Sequence, residues 1–246
     1  MDTPAPIDTQ RYRRLDPRQI IDTAARLEAR IAARFPEAGI RRVAAELTAL
    51  SRDLAGSAHE LERPIWWLRA AIAVTVLAGA AVFIFLGTVL PFNRFTEGGA
   101  SEWVQGIEAS INTLLLAGLG LIALVRAEAT MKQKRVFREL HGLRSLIHVI
   151  DMHQLTKDPN VLKTGYKPTA KSPPRITNRA DLASYLDYCS EMLSISGKVA
   201  ALFAQSVNDA VVIEAVNDIE ALGANLSRKI WQKITLIEGS VAARSK

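Results

Sequence analysis

Residues 65–90, Ile65 to Leu90, read IWWLRAAIAVTVLAGAAVFIFLGTVL, with Arg69 as the only charge and Thr75 and Thr88 as the only polar side chains of the interior. About 20 apolar residues cross roughly 30 Å of hydrocarbon at 1.5 Å per residue, and inside lipid only a helix satisfies its own backbone in such a run. The stretch therefore reads as a membrane-spanning helix. Pro64 stands at its first turn, where a missing N–H costs nothing. Trp66 and Trp67 suit the headgroup level as interface anchors, and Arg69 is long enough to reach water from just inside.

Moving outward, residues 104–125 read VQGIEASINTLLLAGLGLIALV and form a second candidate span, bracketed by Trp103 and Arg126 as anchors. Its first half is polar. Gln105, Glu108 and Asn112 recur at three-and-four spacing and share one helical face, with Thr113 beside it on a ridge of small residues that includes Ala109, Ala117 and Gly120. An ionisable side chain within a span is costly, so this face suggests either close packing of helices or a polar lining of an ion path. The connector between the spans carries Arg94 against Glu97 and Glu102. The outer flanks are rich in Arg and Lys: Arg41, Arg42, Arg52 and Arg63 on one side, Lys132, Lys134, Arg135 and Arg138 on the other. Positive charge marks the cytoplasmic side, so both termini are expected in the cytoplasm and the chain in the plasma (inner) membrane as a multi-pass protein. A cleavable leader is not expected, because 64 mostly polar residues precede the first apolar run.

The whole chain of 246 residues is 49% hydrophobic and 6% aromatic, with net charge +6 and one cysteine. Those values exclude a disordered chain, a collagen-like repeat and a disulfide-stapled module. They leave an all-α protein: a cytoplasmic N-terminal helical hairpin over residues 1–63, two spans within 64–126, and long, coiled-coil-like cytoplasmic helices after the second span.

Asp16 or Thr9 can cap a first helix carrying Ile20, Ala24, Leu27 and Ile31 on one face up to Phe35-Pro36. A second helix carries Ile40, Val43, Leu47 and Leu54, with Gly56 as its expected stop. Beyond the second span no proline occurs before Pro159, and Val136, Leu140, Leu143, Ile147 and Ile150 keep a heptad-like spacing. Residues 127–156 are thus expected to extend the span as one helix of about 50 residues. Residues 157–179 hold six basic side chains, four prolines and a single acid, Asp158, as a basic proline-rich loop. Residues 180–246 are helical again, and Ser206 to Asp209 resembles a capping box that splits them into an antiparallel pair.

Candidate chemistry is sparse. His148 and Asp151 offer two ligands at helical spacing, too few to close a metal site, and His153 falls on another face. His141 and His148, seven residues apart, occupy equivalent positions along one helix contact. Cys189 reads as a small apolar residue at a helix contact. Phosphate-cradling loops, nucleophile elbows and two-histidine helix motifs are not found in the sequence, so neither an enzyme nor a cofactor or metal is expected. Nucleic acid is not an expected partner, since Tyr166 is the only stacking group in the basic loop. The expected role is that of a non-enzymatic, homo-oligomeric membrane protein whose cytoplasmic helices scaffold or recruit a protein partner. The alternative is an oligomeric ion channel or membrane-permeabilising effector that uses the Gln105/Glu108/Asn112 face.

Overall fold

The structure is a computed structural model that describes residues 14–89, 100–163, 165–172 and 175–242. Those residues form six α-helices and one short 3-10 turn, with no strand among them: α1 (Pro17–Arg34), α2 (Gly39–Glu62), α3 (Trp66–Val89), α4 (Ala100–Leu155), the turn Pro159–Leu162, α5 (Arg179–Ser206) and α6 (Ala210–Ala242). The chain divides into two compact units, Arg63–Lys134 on one hand and Met1–Glu62 with Arg135–Lys246 on the other, and α4 contributes to both.

Helix boundaries follow local chemistry. Asp16, rather than Thr9, caps α1 by accepting the Arg18 N–H at 2.9 Å, and the helix ends at Phe35, where Pro36 prevents continuation. The Asn178 side chain accepts the Ala180 and Asp181 N–H groups at the start of α5. α5 and α6 are separated at residues 207–209, as the antiparallel pair requires. The cap of α6 is Asp209, whose Oδ1 accepts the Val211 and Val212 N–H groups at 3.0 and 3.2 Å. The expected capping box corrects accordingly: Ser206 is the last residue of α5, and its hydroxyl donates back to the Leu202 carbonyl. Gly56 does not stop α2. The helix runs through it to Glu62, because Ala58 and Leu61 continue the buried stripe and offset the roughly 1 kcal/mol that glycine costs inside a helix. The next break comes only ahead of Pro64.

In the unit formed by Arg63–Lys134, α3 and the first part of α4 present apolar side chains outward. Val74, Leu77 and Ile84 on α3, and Leu116 and Leu119 on α4, are all more than 60% exposed. Water does not tolerate contiguous apolar surface on that scale, whereas hydrocarbon does. Among the described residues two helices are long and apolar enough to cross a membrane.

The other unit is a five-helix bundle of α1, α2, the later part of α4, α5 and α6 around one continuous hydrophobic core. α5 is its central helix. It packs on α1, α2 and α6, and it touches α4 through Tyr185 and His153. Half of its 28 residues are buried, so it is covered over most of its circumference, with Ser194 and Lys198 exposed. α5 and α6 run antiparallel in a constant register: Gly197 lies against Glu220, Gly223 against the Leu193 carbonyl, and Arg179 donates to the Ile237 carbonyl. A Cβ on Gly223 would stand 3.3 Å from that carbonyl oxygen, so glycine lets these two backbones approach. The heptad-like stripe of α4, from Val136 to Ile150, is fully covered, and its partners are helices of the same chain.

Candidate functional site

The polar residues of the second span all fall on α4, but only part of the face can be described. Glu108, Asn112 and Thr113 have exposed side chains, while the side chains of Gln105 and the anchor Trp103 lie outside the described set. Trp66 and Trp67 are 75% and 63% exposed at the start of α3, and Arg126 is exposed on α4. Arg69, read from sequence as an anchor extending to water, also faces a carboxylate: its Nε is 3.9 Å from Glu128 Oε2.

Glu128 joins the two helices in a way that sequence reasoning missed. Its Oε1 accepts the Ile65 N–H at 3.4 Å, just ahead of α3, and stands 3.3 Å from Lys132 Nζ. Beside it Leu68 is 2% exposed. Burial works to raise the Glu128 carboxyl, but the Ile65 N–H, Lys132 and Arg69 outweigh it and hold the group below the ordinary carboxylate range. A helix start carries unpaired N–H groups and a partial positive charge, so a carboxylate from a neighbouring helix suits that position. The only signal in the sequence was the Glu128/Lys132 pair at four-residue spacing, which is common on any helix.

In the bundle a cluster of polar groups lies where α4 ends. His153 Nδ1 is 3.2 Å from the Tyr185 hydroxyl, and α2 begins hard against the ring: a Cβ on Gly39 would come within 2.7 Å of His153 Cε1. Lys157 Nζ sits 4.6 Å above the Tyr185 ring. Lys233 Nζ donates to the carbonyl and the side-chain oxygen of Gln154 at 2.9 and 2.6 Å, and Gln154 Nε2 donates to Asp151 at 2.6 Å. Arg175 donates to the Thr156 carbonyl. Lys233 and Arg175 thus complement the negative end of α4 and satisfy carbonyls that have no partner within the helix.

Burial, with Lys157 and Arg42 adding like charge, holds the His153 imidazolium below its ordinary range. The ammonium groups of Lys157 and Lys233 are likewise lowered, chiefly by burial. Cys189 is fully buried beside them, and its thiol is pushed up to about 12 by burial, which makes it unreactive. His141 and His148, expected along a helix contact, instead lie exposed on α4, because the buried stripe runs through Val136, Leu140, Leu143, Ile147 and Ile150. Among the described residues no three His, Cys, Asp or Glu side chains converge as metal ligands would.

Open grooves indent the bundle. One, of about 460 Å³, runs between α5 and α6 past Ser190, Ser194, Gly197, Gly223 and Trp231. Another, of about 400 Å³, lies where Leu15 is pinned by its backbone to the side chain of Gln205, near His59 and Glu62. Both are walled mainly by small or mixed side chains, without a converging set of catalytic groups. The chain matches no family model, no curated protein and no solved structure.

Proposed function

We propose that the protein is a non-enzymatic, self-associating scaffold of the plasma membrane, anchored by two spans with both termini in the cytoplasm, whose cytoplasmic helical bundle recruits a protein partner. The observation that carries this reading is the use to which the bundle puts its polar groups. His153 is engaged with Tyr185, Lys157 with the Tyr185 ring, Lys233 with Gln154, and Gln154 with Asp151. Each is committed to holding helices together, as in a rigid platform, rather than aimed at a cleft where a substrate could react. The basic anchors Arg69 and Arg126 and the indole pair Trp66-Trp67 support the membrane attachment.

A second reading draws on a separate observation: Glu108 and Asn112 are exposed on a helix apolar enough to span. A carboxylate and an amide facing lipid are costly, and several copies turned inward would give them a common, hydrated lining, as in an ion channel or permeabilising effector.

One experiment separates the readings. The full-length protein is extracted into nanodiscs, its oligomeric mass is measured, and the same preparation is tested for conductance in a planar bilayer. A defined, electrically silent oligomer supports the scaffold. A conducting oligomer whose selectivity changes with Glu108→Gln supports the channel, and a strictly monomeric protein refutes both.

A further inference from the structure

Two outward faces of the bundle carry opposite charge at the same height. Away from its buried stripe, α4 exposes Phe137, Arg138, His141, Arg144, His148 and Met152, and the one carboxylate bordering that face, Asp151, is half-buried and accepts from Gln154. Phe137 and Met152 are 40% and 66% exposed, so the face is apolar as well as basic. α6 exposes Val211, Glu214, Asp218, Ala221 and Asn225 at spacings of three and four. From 199 to 227 the chain has no Lys or Arg, and Lys198 on α5 donates to Ser194. Among the described residues none of Arg138, Arg144, Glu214 and Asp218 takes part in an ion pair, whereas Arg30, Arg34 and Arg135, which face neighbouring helices, are each paired to a carboxylate within the chain.

The heights follow from contacts inside the bundle. His153 abuts both Gly39 and Tyr185, near the starts of α2 and α5. Glu60 pairs with Arg135, and Ala58 and Glu62 share a groove with Leu202 and Gln205, near the ends of α2 and α5. α4 is therefore antiparallel to α5, and since α5 is antiparallel to α6, α4 and α6 run parallel. They are fixed at one point by the bond between Gln154 and Lys233. Arg138 lies 16 residues before Gln154, while Asp218 and Glu214 lie 15 and 19 residues before Lys233. At helical rise, Arg138 thus stands within about 2 Å of the level of Asp218 and about 4 to 5 Å from that of Glu214.

We propose that a second copy of this chain docks its α6 outer face onto the α4 outer face of the first, with the two bundles side by side, helices parallel, and Arg138 set between Glu214 and Asp218. The contact is head-to-tail, using different patches on the two copies, and repeats into a ring or a row. Exposed ion pairs are individually weak, so alignment of charge sets the register while confinement of the copies in one membrane supplies the effective concentration. The inference deepens the self-association in the proposed function and rests on it.

The test uses full-length protein in its native membrane, in two differently tagged copies, one with His141→Cys and the other with Ala221→Cys, joined by a short bismaleimide. Cys189 is buried and leaves the background silent. The mixed product is expected to exceed either same-site product. It should fall at least tenfold when the His141→Cys copy also carries Arg138→Glu and Arg144→Glu, and return when the other copy carries Glu214→Arg and Asp218→Arg. Predominant same-site products, a mixed product indifferent to charge reversal, or failure of the double reversal to restore it overturns the proposed face. An oligomer of unchanged mass without the mixed product refutes this face alone and leaves self-association standing. A wild-type protein that is monomeric refutes both.

Discussion

Leu143→Ala tests whether the heptad-like stripe of α4 is covered by its own chain. Leu143 is fully buried in the middle of that stripe, within the core shared by five helices. Removing three carbons from such a site leaves a cavity as well as losing transfer energy, and costs about 3 kcal/mol within a usual span of about 2 to 5. For a folding unit of this size each kcal/mol moves the midpoint by roughly 2 to 4 °C, so the bundle should melt about 6 to 12 °C lower. Met152→Ala on the same helix, where the side chain is 66% exposed, should change stability by no more than about 0.5 kcal/mol. The assay is thermal unfolding of the detergent-solubilised full-length protein by far-ultraviolet circular dichroism at two protein concentrations tenfold apart. If the difference between wild type and Leu143→Ala grows or shrinks with concentration, the stripe is buried between chains, as in a coiled coil, and the reasoning from the intrachain core is refuted. A shift of less than about 2 °C refutes it equally, because it means the site is not packed as described.

Two further outcomes follow from the same bundle. Its stability should decline as the pH is lowered from about 6.5, because the unfolded chain takes up a proton at position 153 more readily than the folded one, in which burial, Lys157 and Arg42 disfavour the imidazolium. His153→Gln should flatten that part of the pH profile, and an unchanged slope would assign it to other groups. Asp209→Ala removes the cap that accepts two N–H groups at the start of α6 and should cost about 1 kcal/mol, with amide exchange accelerating first in the opening turn of α6; protection there equal to wild type would count against Asp209 as the cap.

Much of the helical layout was legible because it is local. The run from Ile65 to Leu90 needs no partner to be recognised, since its length and its lack of charge alone mark it out. The continuity of α4 followed from the absence of proline before Pro159, and the end of α1 from Phe35-Pro36. Gly56 misled because helix propensity amounts to only about 1 kcal/mol and yields to the burial of Ala58 and Leu61 on either side of the next turn. The capping residue of α6 was displaced by three positions, since Ser206 and Asp209 both have side chains that can cap and only packing selects which turn opens the helix.

The tertiary structure alone decided which faces meet. A stripe such as Val136 to Ile150 announces that something apolar covers it, but an intrachain bundle and a coiled coil of several chains ask the same periodicity of it. Contacts such as Arg30 with Glu191, Gly39 with His153, and Lys233 with Gln154 join residues 161, 114 and 79 positions apart, and no local signal encodes those pairings. Periodicity is a property of one helix, whereas the choice of partner depends on the shapes and charges of all of them at once. The composition and the 3.6-residue rhythm therefore determined the helices and their apolar sides, and long-range packing determined that α5 stands at the centre and which side of each helix it covers.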